Sequence, residues 1–252
     1  MTSLLLKSFL ALLLTANCFA ASPAFIGTTG LGPESAACSF STSDADILGE
    51  SFEGANSGYD NASWTETVAG TSSVDPDAAH PGSLSCADKC SHAVKVISDG
   101  SNSAKTNSPT FTESSTLYTQ VYLYVDAEGL SDTDVQSFFS AYTGSTLTWY
   151  LRLYQVSGGI NLYLYYWNGS ANVAYATTSS ISIQTWYRVS IRWVSGGSSK
   201  LYVNGTEVGT GFTAGSRNID NVVLGTGAPT KTFTVYYDNL KLDNDTMPGA
   251  CP

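Results

Sequence analysis

Short runs of alternating hydrophobic and polar residues recur along this chain from Ser51 onward, with clusters of Gly, Asn, Asp and Ser between them. Alternation with a period of two is typical of β-strands, because successive side chains of a strand point to opposite faces of the sheet. Many short strands with turn residues between them predict an all-β protein, either a β-sandwich or a jelly roll. We predict helical turns only at 78–80 and 132–136.

The clearest alternation lies in two runs, Leu147 to Val156 and Ile160 to Trp167, which three small residues join as in a tight hairpin. One face of this pair is predicted to point to the core: Leu147, Trp149, Leu151, Leu153, Ile160, Leu162 and Leu164. The other face combines aromatic rings with a cation: Tyr150, Arg152, Tyr154, Tyr163, Tyr165 and Trp167. This second face is too aromatic for an ordinary solvated surface, so we expect a ligand or another part of the chain to cover it.

Two further runs repeat this scheme. Gln120 to Val125 is predicted to point Val121, Leu123 and Val125 inward, with Gln120, Tyr122 and Tyr124 outward. Trp186 to Val194 is predicted to point Val189, Ile191 and Trp193 inward, with Trp186, Arg188 and Arg192 outward. Sugars favour surfaces of this kind, because their C–H faces stack on aromatic rings while guanidinium groups bind hydroxyl or carboxylate oxygens. The alternative is that the tyrosines and arginines stack on one another and simply cover the outer sheet.

Composition narrows the possible classes of protein. Charged residues make up 13% of the chain and hydrophobic residues 42%, a balance that excludes intrinsic disorder and a coiled coil. The 11 Lys and Arg against 21 Asp and Glu give a net charge of -10. An acidic chain argues against duplex nucleic acid or an anionic membrane as the partner, because both need a basic surface.

The first twenty residues are predicted to be a signal peptide. Lys7 precedes a short apolar run, and small residues at Cys18 and Ala20 fit the cleavage pattern. The run is far shorter than the roughly 20 apolar residues of a membrane anchor. We therefore expect a secreted, extracellular protein without membrane insertion. Residues 21–49 are small and polar and are predicted to be a loosely ordered leader, and residues 50–252 a single domain.

Secretion would allow the cysteines to form disulfides. Four remain after cleavage, and four cysteines allow three pairings: Cys38, Cys86, Cys90 and Cys251. Cys86 and Cys90 are close enough in sequence to pair at a turn, which leaves Cys38 to meet Cys251. Because the ends of a jelly roll usually lie close together, we favour this pairing. A zinc site that also uses His80 or His92 is the alternative.

Several segments resemble the concanavalin A-like jelly roll, in particular its laminin-G-like bacterial members. The segments follow in order over residues 50 to 245: Glu50-Ser51-Phe52-Glu53-Gly54, Trp64, Trp186-Tyr187-Arg188-Val189, Lys200-Leu201-Tyr202-Val203-Asn204-Gly205 and Tyr237-Asp238-Asn239-Leu240-Lys241-Leu242. Asn204-Gly205 suits a type I′ hairpin turn, in which both residues have positive φ. The resemblance implies two packed antiparallel sheets, one of them concave, and commonly carbohydrate recognition.

The resemblance also implies a structural calcium ion where the first and last strands meet. The matching positions are Glu53 and Asp238, whose hard carboxylate oxygens suit calcium. The alternative is that Asp238 caps the end of a strand and Glu53 faces solvent.

Enzymes on this fold suggest a second set of residues. A glycosidase needs two carboxylates flanking the bond, and we find no strand that supplies them. A polysaccharide lyase needs a cation or amide for the uronate carboxylate and a base, which Gln120, Tyr122, Arg152 and Tyr154 could supply if their strands are neighbours. Jelly-roll alginate lyases carry a Q-I/V-H strand, but Gln120-Val121-Tyr122 has tyrosine in place of the histidine, and their other two strand motifs are absent.

The sequence thus favours a secreted lectin-like domain that recognises a polysaccharide or glycoconjugate. The predicted ligand-binding residues are Tyr122, Tyr124, Tyr150, Arg152, Tyr154, Tyr163, Tyr165 and Trp167. A glycan-cleaving enzyme, either a lyase or a hydrolase, is the first alternative. A structural or adhesive surface protein is the second.

Overall fold

The computed structural model describes residues 47–50, 52, 64–79, 81, 92–131, 133–156, 159–175 and 179–248. The predictions for the signal peptide, most of the leader, the four cysteines, Glu53 and His80 fall outside these residues. The described residues form β1 (Leu48–Glu50), β2 (Thr65–Val68), β3 (Ser73–Ala79), β4 (His92–Asp99), β5 (Ala104–Asn107), β6 (Thr116–Glu128), β7 (Val135–Thr143), β8 (Thr146–Val156), β9 (Gly159–Trp167), β10 (Asn172–Ala174), β11 (Ser179–Ile181), β12 (Trp186–Val194), β13 (Ser198–Val203), β14 (Thr206–Thr213), β15 (Asn221–Thr226) and β16 (Thr232–Asp243).

These strands pair into two antiparallel sheets, and the fold is a jelly-roll β-sandwich. The first sheet has the order β14-β13-β12-β6-β16-β4-β3, with β1 also paired to β16. The second sheet has the order β10-β9-β8-β7-β15-β5-β2, with β11 also paired to β9. No helix in the described part of the chain is long and apolar enough to cross a membrane.

The core lies between the sheets and is built by the alternation seen in the sequence. Strand β6 contributes Val121, Leu123 and Val125, and β8 contributes Trp149 and Leu151; none of these is more than 1% exposed. The buried Tyr237 joins the two sheets, because its hydroxyl donates to the Phe138 carbonyl at 2.6 Å and accepts from the Gly225 N–H at 3.2 Å. The outward residues of these strands therefore lie on the two outer faces of the sandwich.

Several local predictions can be compared with the strands. The predicted Trp186 to Val194 strand has the bounds of β12. Asn204 and Gly205 form the β13–β14 turn with φ of 51° and 80°, as a type I′ turn requires. The predicted helical turns are wrong, because residues 78 and 79 lie in β3 and residues 135 and 136 in β7. Strand pairing with neighbouring β4 and β8 replaces the local helical turn at these two places.

Candidate functional site

Six predicted ligand-binding residues lie together on the outer face of the second sheet: Tyr150, Arg152, Tyr154, Tyr163, Tyr165 and Trp167. We call this set the tyrosine–arginine surface. Strands β8 and β9 position it, because Tyr150 pairs with Tyr165 and Arg152 with Tyr163 in their antiparallel register. Each of the six side chains is half-buried.

The centre of the tyrosine–arginine surface is a stack of two rings and a guanidinium. The Tyr150 and Tyr165 rings are nearly parallel, at 11°, with their centroids 5.1 Å apart. The Arg152 Cζ lies 4.8 Å from the Tyr150 centroid and 4.5 Å from the Tyr165 centroid. Such cation–π contacts contribute about 0.5–1 kcal/mol at exposed sites. The arginine is therefore held over the rings, so the tyrosines and the arginine contact one another at the centre of this surface.

Aromatic contacts extend the surface in both directions. Tyr154 and Tyr163 meet edge to face with centroids 5.2 Å apart. At the other end, the Arg217 Cζ lies 3.6 Å from the Trp167 ring centroid. The loop after β14 brings Arg217 there, and Gly215 in this loop donates its N–H to the Trp167 carbonyl at 2.8 Å. A Cβ at Gly215 would lie 2.6 Å from Trp167 Cδ1, so glycine permits this close approach.

Two cavities flank Arg152. One, of about 250 Å³, is lined by Val135, Arg152, Tyr154, Tyr163 and Tyr165. The other, of about 170 Å³, is lined by Ser137, Ser140, Tyr142, Leu147, Tyr150, Arg152, Val223, Gly225, Thr226 and Gly227. Arg152 thus contacts two aromatic rings and lines both cavities.

Leu147 lines the second cavity, although the alternation predicted that it points to the core. The pairing of β7 with β8 shifts here, since Ala141 pairs with Trp149 but Tyr142 pairs with Leu147. Thr148 is the extra residue of this β-bulge, and a bulge changes the side to which the preceding residues point. The prediction for Leu147 was wrong for this reason.

Burial affects the tyrosine hydroxyls of this surface. Desolvation raises the pKa of Tyr150 and neighbouring Tyr165 raises it further, while Arg152 lowers it. The Tyr150 hydroxyl therefore stays protonated at neutral pH. A protonated phenol can donate a hydrogen bond to a ligand oxygen, but it does not act as a base.

Tyr122 and Tyr124, the other two predicted ligand residues, lie on the outer face of the first sheet and not with the six others. They are 7% and 8% exposed. Tyr124 packs against Trp186 at 5.2 Å and Tyr236 at 5.9 Å between centroids, and desolvation raises its pKa. The Trp186 Nε1–H donates to the Pro81 carbonyl at 2.8 Å. The predicted single surface is therefore divided between opposite sides of the sandwich.

The outer face of the first sheet also carries a groove of about 660 Å³. Its lining residues are Tyr118, Gln120, Arg188, Ser190, Arg192, Tyr202, Gly205, Thr246, Met247 and Pro248. We call it the arginine groove. Of these residues, the sequence predicted Gln120, Arg188 and Arg192 to point outward. The same alternation in β6, β12 and β13 would have indicated Tyr118, Ser190 and Tyr202.

The four residues of the predicted lyase site are not neighbours. Gln120 and Tyr122 are on β6 of the first sheet, whereas Arg152 and Tyr154 are on β8 of the second. Both pairs point away from the core, and packed sheets are about 10 Å apart. The expectation of neighbouring strands was wrong, so these four side chains do not meet at one substrate.

The predicted calcium ligands are only partly described. Asp238 is 1% exposed, and its Oδ1 accepts the Asn239 N–H at 2.7 Å. The described residues hold no group of three or more His, Cys, Asp or Glu that could bind a metal ion. Calcium takes about six to eight oxygens, which include backbone carbonyls and water as well as carboxylates, and Glu53 lies outside the described residues. The calcium site stays a prediction, and so does the disulfide pairing.

Comparison with known families identifies the fold. The model of a laminin-G-like family, described as the concanavalin A-like lectin/glucanases superfamily, matches residues 98–249. This chain belongs to that superfamily. The resemblance seen in the sequence is thereby confirmed. A search of curated protein sequences found no match to this chain.

Solved structures of the same fold include a cellulose-induced protein, Cip1, with a TM-score of 0.57, 17% identity, and coverage of 81% of this chain and 99% of that one. The globular domain of T. cruzi calreticulin has a TM-score of 0.53 at 8% identity, over 79% of this chain and 89% of that one. The ligand-binding domain of botulinum neurotoxin serotype D, solved in complex with N-acetylneuraminic acid, has a TM-score of 0.52 at 12% identity, over 82% of this chain and 48% of that one. At these identities the likeness establishes the fold alone.

Proposed function

We propose that this protein is secreted and binds a polysaccharide or glycoconjugate through the tyrosine–arginine surface. The observation that carries the proposal is the position of Arg152, which lies over two stacked tyrosine rings with a cavity on either side. Among the described residues, no carboxylate lies within 4.0 Å of this guanidinium. Its hydrogen-bonding groups are therefore not committed to an acidic side chain.

The chemistry of the surface matches that of a sugar. Aromatic rings offer flat apolar area to the C–H face of a pyranose, and the guanidinium fork offers paired N–H donors to hydroxyl or carboxylate oxygens. The protonated Tyr150 hydroxyl adds a donor. Membership of a lectin and glucanase superfamily supports a glycan partner in general. The neurotoxin domain of the same fold was solved with a sugar acid.

Binding is better supported than cleavage. The residues predicted for a lyase lie on opposite sides of the sandwich. No other geometry in the described residues favours a glycosidase or lyase.

A panel of polysaccharides tests the proposal. The purified chain without residues 1–20 is applied to immobilised neutral and acidic polysaccharides, and retention is recorded together with release of unsaturated or reducing sugars. We expect retention on at least one polymer without product release. Release of unsaturated sugar would identify a lyase instead. Self-association without retention on any polymer would identify a structural or adhesive protein.

A further inference from the structure

In the part of the chain that the structure describes, the arginines are not paired with carboxylates. The ion pairs between described side chains are Lys200 with Glu207 at 2.7 Å and Lys231 with Asp134 at 2.8 Å, so both use lysine. Within the described ranges, no carboxylate lies within 4.0 Å of Arg152, Arg188, Arg192 or Arg217. This is notable in a chain with 21 acidic residues against 11 basic ones. Guanidinium groups left without carboxylates in an acidic protein are suited to anions that come from outside.

Two of these arginines line the arginine groove. Arg188 and Arg192 are on the same face of β12, with Ser190 between them. Arg188 pairs across the sheet with Tyr122 of β6, and Arg192 pairs with Tyr118. Two arginines that are four residues apart on a strand lie about 13 Å apart along it. They therefore lie at the two ends of a row of polar residues, which we call the floor of the groove.

Neutral hydrogen-bonding groups form this floor. Ser190 pairs with Gln120 of β6, and its hydroxyl donates to Gln120 Oε1 at 3.4 Å. Strand β13 adds Tyr202 on the other side of Ser190. Gln120 and Ser190 are only 1% and 4% exposed, so Tyr202 is the member of this row that can exchange hydrogen bonds with a sugar.

The β13–β14 turn holds Arg188 in place. The backbone N–H of Arg188 donates to Asn204 Oδ1 at 2.9 Å. The next residue, Gly205, has φ of 80°, and a Cβ there would lie 2.5 Å from Arg188 Nη2. Glycine thus leaves the space that the guanidinium occupies. Arg192 lies with its Cζ 6.0 Å from the Tyr118 ring centroid, and its Nε is buried without a hydrogen-bond partner.

Three carboxylates on this face lie one strand away from the arginines: Asp238 and Asp243 beyond β6, and Glu207 of β14 beyond β13, where it pairs with Lys200 at 2.7 Å. Asp238 and Asp243 of β16 pair with Tyr122 and Tyr118 of β6, on the side opposite to β12. Lys241 lies between them and pairs with Gln120. Asp238, Lys241 and Asp243 each already have a partner. The β12 side of the groove is therefore cationic, although the chain as a whole is acidic.

We propose that the arginine groove is a second binding site, on the face opposite to the tyrosine–arginine surface, and that it takes a carboxylate-bearing sugar residue. A guanidinium group binds the carboxylate in its planar fork, and the half-buried Tyr202 hydroxyl binds a hydroxyl group of the sugar. The groove volume of about 660 Å³ is in the range of small-ligand sites.

Calorimetric titration with galacturonic acid oligomers tests this site. The titration uses the Arg152→Gln chain, so that the tyrosine–arginine surface contributes little and failure of either site can be seen separately. Combining Arg188→Gln with Arg192→Gln in this chain should weaken binding about ten-fold or more. Lys200→Gln removes one positive charge beside the groove, from a residue paired with Glu207, and should change the affinity no more than about two-fold.

The ligand provides a control that does not depend on variants. Methyl-esterified oligomers keep the same sugar without the charge, and they should bind about ten-fold more weakly to the unsubstituted groove. Equal affinity for acid and ester would overturn the proposal, and so would an equal loss with Lys200→Gln. Sulfated dextran tests whether the groove binds a sulfate group instead of a carboxylate. If the arginines are needed to bind sulfated dextran and the galacturonic acid oligomers do not bind, the proposal is also overturned.

Discussion

The near-parallel rings of Tyr150 and Tyr165 are stacked across β8 and β9 with their centroids 5.1 Å apart, and the Arg152 Cζ lies 4.8 and 4.5 Å from these centroids. This arrangement follows from strand register, because the two tyrosines are directly opposite each other. The stack fixes a long, flexible cation in one place. A ligand that meets Arg152 therefore does not have to supply all of the entropy cost of ordering it.

Replacing Arg152 tests the cationic part of this surface. Arg152→Gln keeps a polar side chain but removes the charge and the guanidinium fork, so we expect about ten-fold weaker retention on the polysaccharide that the chain binds. Lys231→Gln is the matched control, because it removes one positive charge from a surface ion pair with Asp134. Affinity electrophoresis measures both variants. Similar losses in both would mean that net charge, and not this surface, governs binding.

We predict that Tyr124 stabilises the fold and does not bind the glycan. It is 8% exposed and packs against Trp186 and Tyr236, so Tyr124→Ala leaves a cavity and should lower the free energy of unfolding by about 2–4 kcal/mol. Chemical denaturation measures this change. Glycan retention below the unfolding transition should stay as in the unsubstituted chain. Loss of retention without loss of stability would return Tyr124 to the ligand-binding residues.

Asp99 gives a pH-dependent contribution to stability. Hydrogen bonds from the Asn102 side chain, from the Ser101 and Asn102 N–H groups and from the Thr71 N–H hold the pKa of this carboxyl well below its ordinary value of 3.8. Because folding lowers the pKa, the contribution is present above that ordinary value and is lost as the pH falls towards the lower one. Asp99→Asn should therefore lower Tm at neutral pH, and the difference from the unsubstituted chain should shrink below pH 3.8. A Tm difference that is constant with pH would contradict this assignment.

Calcium dependence can be measured directly. If Glu53 and Asp238 hold a structural calcium ion, a chelator should lower Tm, and added calcium but not magnesium should restore it. Asp238→Asn should remove this calcium dependence. An unchanged Tm on chelation would rule out the site.

The sequence predicted the strands better than their assembly. Alternation gave β12 with its observed bounds, and it gave the inward positions of Val121, Leu123 and Val125. It did not tell which sheet a strand joins, since the period of two is the same in both. For this reason the sequence groups Tyr122 and Tyr124 with six residues of β8 and β9 from which the structure separates them.

Two other features of the site could not be predicted from the sequence pattern, for physical reasons. One extra residue at Thr148 turns Leu147 from the core to the cavity beside Arg152, and a bulge of this kind leaves little trace in a pattern of apolar residues. Arg217 reaches Trp167 from a loop, and contacts made by loops depend on the folded chain path and not on local periodicity. The tyrosine–arginine pattern itself was visible because it lies on two consecutive strands.

The most direct test of the central claim is the dissociation constant of the Tyr165→Ala variant for the polysaccharide that the chain retains. Tyr165 contributes ring area beneath Arg152 and lines one of the cavities, but it is only half-buried. We predict about ten-fold weaker binding, while loss of the ring stack and of the half-buried ring area costs about 1–3 kcal/mol of folding stability. An unchanged dissociation constant in a folded Tyr165→Ala chain would contradict the assignment of glycan binding to the tyrosine–arginine surface.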